Sequence, residues 1–185
     1  MVKAAHSEGL LMARAAYKIA VQMKGKTIKH EKYVFAGALL IPLGKVLMAQ
    51  CFPKDRAEKS WLALQGEIDK SITMRKEAYN VIERRRFLVT HAQLAAVFVS
   101  FFIIFRPIEK AIAYYRDPYY MKKVDPALFQ LANIFSLAQI LQENFVSTKI
   151  PLEDLITEHH QDFMRTIRMQ HKKLLEILGE LAKEK

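Results

Sequence analysis

Residues 87–105, FLVTHAQLAAVFVSFFIIF, carry no formal charge, and Arg84, Arg85 and Arg86 precede them while Arg106 follows. As one helix this run would reach roughly 28 Å at 1.5 Å per residue, close to the hydrocarbon thickness of a bilayer. A water-soluble helix that is apolar on every face needs neighbours all round it. Long basic side chains at both ends suit a membrane span, because they can reach the head groups. The pattern predicts a transmembrane helix, with Arg84, Arg85, Arg86 and Arg106 in contact with lipid head groups. Tyr114, Tyr115, Tyr119 and Tyr120 follow, and they read as interfacial aromatics, apolar rings with polar tips. The competing expectation is a core helix of a soluble bundle, which Thr90, His91, Gln93 and Ser100 favour by interrupting the run. An ionisable group at membrane depth is a functional candidate. His91 lies one turn inside the basic end, where a structural hydrogen bond to a neighbouring helix fits better than a proton relay.

Residues 33–52, YVFAGALLIPLGKVLMAQCF, are long enough for a second span. Lys45 lies inside them, and a central lysine costs about 2.5–3.5 kcal/mol on insertion scales. Pro42 and Gly44 weaken the helix further. A span and a buried or re-entrant helix both fit this segment. The chain therefore has one or two transmembrane helices.

The rest reads as helix. Gly and Pro number six each, and no alternating strand pattern is sustained. The fold class is all-α, with amphipathic peripheral helices beside the membrane part. Helices are expected at 7–24, 31–52, from 55 unbroken to 105, at 126–146, and from 151 onward. Three regions follow: a basic amphipathic N-terminal helix at 1–32, a membrane region with a connecting helix at 33–105, and a peripheral helical extension at 106–185. Asp125 and Pro126 make a clean helix start. The helix they open has no charge before Glu143, while Gln130, Asn133, Ser136, Gln139 and Gln142 recur every third residue. Such a helix packs inside an assembly, lies in a membrane, or forms the core of a bundle. The last helix carries Leu152, Ile156, Phe163, Ile167, Leu174, Leu178 and Leu181 as an amphipathic stripe.

The chain has 29 Lys and Arg against 19 Asp and Glu, a net charge of +10. Nucleic acid, anionic lipid and acidic protein surfaces are the usual partners of such a protein. Lys24, Lys26, Lys29 and Lys32 could contact phosphates, as could Arg84–Arg86, but their place beside apolar runs favours lipid over nucleic acid. Residues 1–26 are basic and acid-poor, in the style of a mitochondrial targeting helix, with an ordinary surface helix as the alternative. Cys51 is the only cysteine, so neither an internal disulfide nor a cysteine zinc site can form.

Signatures of catalysis are lacking. His159 and His160, with Glu158, Asp162 and His171, have some metal-ligand character. Two-ligand pairs fall short of a site, and no Glu-x-x-His or His-Glu-x-x-His run is present. Gly25–Thr27 lacks the upstream glycine of a phosphate loop, and no Gly-x-Ser-x-Gly elbow occurs. No catalytic, cofactor-binding or metal residue is expected, and no enzyme acting alone.

In its retained basic N-terminal helix, apolar runs flanked by Arg and Lys, and helical extensions without catalytic residues, the chain resembles accessory subunits of mitochondrial inner-membrane complexes. It departs from the stalk b-type pattern, because it lacks one long charged helix. The resemblance carries over no functional residue. It implies a non-catalytic structural subunit of the mitochondrial inner membrane, in ATP synthase first and the respiratory chain second. The partners it implies are other subunits and an anionic lipid such as cardiolipin. The alternative of another class is a basic helical RNA-associated protein of an organellar ribonucleoprotein.

Overall fold

The computed structural model describes residues 2–23, 31–53, 64, 79–146 and 151–183. All described elements are helical. They are α1 (Val2–Gln22), a 3-10 turn (Glu31–Tyr33), α2 (Val34–Leu40), α3 (Leu43–Cys51), α4 (Tyr79–Phe87), α5 (His91–Ser100), a 3-10 segment (Ile103–Ile108), α6 (Glu109–Tyr114), α7 (Pro118–Val124), α8 (Pro126–Val146), α9 (Leu152–Leu155), α10 (Glu158–Ile167) and α11 (His171–Lys183).

The bundle is organised around α8. The Asp125 carboxylate accepts from the Ala127 and Leu128 amides at 3.0 and 3.2 Å, and Pro126 occupies a position that needs no amide hydrogen. Every residue from 131 to 142 is buried. Helices α1, α2, α6, α7, α9, α10 and α11 pack around it. Its charge-free composition follows from enclosure on all sides: it is a core helix of this chain. Residues of the regions 1–32, 33–105 and 106–185 meet in one core, among them Ile19, Ile41, Val99, Phe135 and Leu174.

The N-terminal helix is part of that core. Ala5, Gly9, Ala13, Ala16 and Ala20 are buried, a row of small residues that lets α1 approach α2 closely. A methyl group on Gly9 would lie 2.6 Å from the Leu39 carbonyl oxygen. Basic side chains stay at the rim, where Lys18 bridges to Glu180 of α11 at 2.8 Å.

Residues 87–105 do not form one helix, which overturns the expected span. At the end of α4 the Leu88 backbone turns left-handed, φ 64°, and its amide bonds back to the Arg84 carbonyl at 3.0 Å. A new helix then starts. The Thr90 hydroxyl accepts from the Gln93 amide at 3.1 Å, and the Gln93 side chain accepts from the Thr90 amide at 3.0 Å, a capping box. The ten residues of α5 reach only about 15 Å, well short of a bilayer. The polar residues that interrupt the run are thus the start signal of a short helix.

Among the described residues, one stretch is long and apolar enough to cross a membrane by length and composition: the 21 residues Glu31–Cys51. The hydrogen bonding changes inside it at Pro42, where the Gly44 and Lys45 amides reach the carbonyls of Ile41 and Pro42, three residues back, each at 3.1 Å. Half of its apolar window is buried within the chain.

The helix expected from 151 onward is three helices. Thr157 caps α10, and Arg168, at φ 57°, ends it. Between the end of α6 and Asp125, where no helix is expected, the chain forms the short helix α7. Residues 54–63, 65–78 and 147–150, which include most of the expected connecting helix and the expected break after Val146, lie outside the described residues.

Candidate functional site

Helices α5 and α6 run antiparallel. His91 at the start of α5 meets Tyr115 just past the end of α6, while the rings of Phe98 and Phe102 meet at the other end of α5, 5.4 Å apart. The base of this hairpin is polar and closed, and its turn is apolar and open.

At the base, Glu83, His91 and Tyr115 are fully buried. One Glu83 oxygen lies 2.8 Å from His91 Nδ1 and accepts from the His91 amide at 3.0 Å. His91 Nε2 lies 2.9 Å from the Tyr115 hydroxyl. Arg116 Nε donates to that hydroxyl at 3.1 Å, and Arg116 Nη2 donates to Glu143 at 2.8 Å. Gln139 donates to the same Glu143 oxygen at 3.0 Å and to Gln142 at 2.7 Å. With its hydrogen on Nδ1, His91 donates to Glu83, and Tyr115 donates to Nε2.

Burial pushes the Tyr115 hydroxyl up to about 12, against a downward pull from Arg116. It therefore stays a neutral phenol at physiological pH, unsuited to nucleophilic attack. Burial also pushes Glu143 up, but the Arg116 and Lys45 charges and the Arg116 and Gln139 hydrogen bonds outweigh it, and the carboxyl ends below its usual range. Because Glu83, His91 and Tyr115 have no exposed surface, the described residues leave a substrate no access to them. The chain of bonds ties α4, α5, α6 and α8 together and partners most of its buried polar atoms, while the Gln139 side-chain oxygen is buried without one.

Lys45, the charge inside Glu31–Cys51, is paired with Glu8 of α1 at 2.6 Å, with side chains 14% and 25% exposed. A carboxylate partner offsets part of the penalty that a lone lysine would meet. Sequence reasoning missed this pair. Its signal was Glu8 as the single acid among residues 1–26.

The residues expected at a membrane surface fall in four places. Arg84 and Arg85 are exposed and Arg86 is half-buried. Tyr114 stacks on Tyr120 with ring centroids 4.4 Å apart. Burial and Tyr120 raise the Tyr114 hydroxyl, and Arg84 lies close enough to pull it partly back. Arg84, Tyr114 and Tyr120 thus come together. Tyr119 is exposed, donates to Asp162 at 3.0 Å and lies under Lys122, 5.6 Å from its ring. Tyr115 lies elsewhere than expected. It is not interfacial, because His91 and Arg116 hold its hydroxyl in the core. Arg106 is exposed and sits apart, just after the open turn of the hairpin.

His160 also has an internal role. Its Nδ1 accepts from the Thr157 amide at 3.2 Å, and its Nε2 lies 2.7 Å from the Ser136 hydroxyl on α8. Burial, helped by the neighbouring His159 and Arg116, pushes its pKa down to about 3. His159 is also lowered, mainly by burial, and packs edge-on against Tyr119 with centroids 5.9 Å apart. Among the described residues no group of three or more His, Cys, Asp or Glu could hold a metal ion. Lys24, Lys26 and Lys29, and the Gly25–Thr27 triplet, lie outside the described residues, while Lys32 is exposed beside the Tyr33 ring. Comparison with protein-family models, with curated proteins and with solved structures gave no match.

Proposed function

We propose that the chain is a non-catalytic accessory subunit of a membrane complex, with Glu31–Cys51 as its membrane-embedded element. One observation carries this. That stretch combines sufficient length and apolar composition with one charge beyond the Glu31 and Lys32 at its start, Lys45, which is paired with Glu8 of the same chain. Its packing supports the same view, since Gly9, Gly37 and Gly44 are buried and small residues are the usual contact surface between membrane helices. Its role would be structural: to hold neighbouring subunits together through helix packing.

The finer assignment we propose is the mitochondrial inner membrane, with ATP synthase as the first candidate complex and the respiratory chain as the second. It rests on the basic, acid-poor start of the chain and on its overall resemblance to such subunits. Arg84, Arg85, Arg86 and Arg106 would then meet an anionic lipid such as cardiolipin. Carbonate extraction of organelle membranes followed by native-gel migration tests both levels. The chain should stay with the membrane and migrate with a large complex. Recovery as a soluble monomer sinks the proposal.

A second reading is a water-soluble helical module, for instance an RNA-associated component of an organellar ribonucleoprotein. The observation that favours it is the burial of half the apolar window inside the chain. It calls for release by carbonate and for nuclease-sensitive sedimentation with RNA.

A further inference from the structure

The open turn of the α5–α6 hairpin exposes large apolar side chains in succession: Val97 is 54% exposed, Phe101 79%, Phe102 47% and Ile103 77%. Val97 and Phe101 lie one turn apart on the same face of the helix. Three polar groups here are satisfied from within the chain. The Phe101 amide bonds to the Phe98 carbonyl at 3.3 Å, the Phe102 amide to Val99 at 3.0 Å, and the Ser100 hydroxyl donates to Val97 at 2.7 Å. An apolar medium demands such internal satisfaction. Directly behind the corner stand the exposed Arg106 and Lys110, with Glu109 half-buried between them.

A convex apolar tip with a basic rim matches an anionic lipid surface better than a protein groove, because lipid deforms around projecting side chains and supplies phosphates at the rim. We propose that this corner enters the interfacial layer of an anionic bilayer. Phe101, Phe102 and Ile103 reach the acyl boundary, and Arg106 and Lys110 bind lipid phosphates. The proposal rests on the membrane reading above and adds a contact separate from Glu31–Cys51.

The test uses the full chain with Cys51→Ser, labelled through Ile103→Cys with an environment-sensitive fluorophore. It is reconstituted from detergent into vesicles of phosphatidylcholine alone or with cardiolipin. A label at Lys172→Cys on α11, an exposed position, serves as the control. With cardiolipin present, quenching of the 103 label by an aqueous collider should fall several-fold relative to the control. Quenching by lipid-borne nitroxides should rise, and the combined Arg106→Gln and Lys110→Gln change should reverse both. Vesicle-bound protein whose 103 label is as accessible as the control overturns the corner contact and leaves the embedded helix standing. Protein that floats with neither vesicle removes the membrane reading, and the corner contact with it. A label shielded only after a purified protein complex is added, and not by lipid, assigns the corner to a protein partner and also overturns the proposal.

Discussion

His91 and Tyr115, 24 residues apart in sequence, lie 2.9 Å from each other between Nε2 and the phenol oxygen, both without exposed surface. This bond closes the base of the α5–α6 hairpin. It also makes the segment once expected to cross a membrane part of the chain's own polar interior. A buried donor or acceptor that loses its partner costs far more than an intact hydrogen bond contributes.

Tyr115→Phe keeps the ring and removes only the hydroxyl, taking one partner each from His91 Nε2 and Arg116 Nε. The cost should be about 1–3 kcal/mol, read as a lower urea midpoint with an unchanged m value. A change of a few tenths would mean that the bond does not hold the hairpin base.

Part of this architecture was legible in the sequence. The start and end of α8 were readable because Asp125, Pro126 and the charge-free run are local signals. The break before α5 was also written locally, as Thr90 and Gln93 three residues apart, yet it is invisible to an average over an apolar run. Such an average cannot say whether apolar surface meets lipid or other helices. That depends on partners distant in sequence, as in α8, which seven helices enclose. The same distance hid the polar base: Glu83, His91, Tyr115 and Glu143 gain their meaning only when α4, α5, α6 and α8 meet.

Two glycines should respond to alanine with opposite sign. A methyl group on Gly44 would collide with the His91 carbonyl, a rigid backbone group, and crowd Ala95. Helices α3 and α5 would have to part, which costs about 1–3 kcal/mol or more. Gly179 in α11 has open space around it, so Gly179→Ala should stabilise the protein by about 0.5–1 kcal/mol through helix propensity alone. Thermal melts of the two variants decide it, and equal shifts would refute the close α3–α5 contact.

The Arg168 backbone ends α10 in the left-handed region at φ 57°. The Met169 amide reaches the Met164 carbonyl at 2.8 Å, and the Arg168 amide reaches Arg165 at 3.1 Å, the pattern that glycine normally closes. The Arg168 side chain is exposed. Arg168→Gly should therefore raise stability by roughly 0.5–1 kcal/mol, the relief of a non-glycine left-handed residue less its added chain entropy. A loss of stability on calorimetry would show that the arginine side chain matters more than its backbone.

His160 supplies a pH dependence of known sign. Its folded pKa is about 3, below the unfolded value of about 6.5. Between these values the unfolded chain binds more protons than the folded one. Stability is complete above about pH 6.5 and falls as pH drops toward 3, by at most about 1.4 kcal/mol per unit from this group. Protonation would also take Nδ1 from the Thr157 amide and weaken the α10 cap. His160→Gln should flatten the stability curve between pH 4 and 6 by close to one proton. An unchanged slope would place the acid sensitivity elsewhere.

The Lys45–Glu8 pair bears on the environment of Glu31–Cys51. An ion pair at a watery surface couples by well under 1 kcal/mol and weakens with salt. A pair shielded by apolar surroundings loses little to screening, and removing one member leaves a charge without its partner. The pair is short, 2.6 Å, and mostly shielded. A double-mutant cycle of Lys45→Met and Glu8→Gln, measured in vesicles, should give a coupling of about 1–3 kcal/mol. That coupling should hardly change between low and high salt if the helix is embedded in lipid, because mobile ions do not enter the apolar layer. A coupling that collapses with salt would put both residues in water, and Glu31–Cys51 would then be a helix of a soluble bundle.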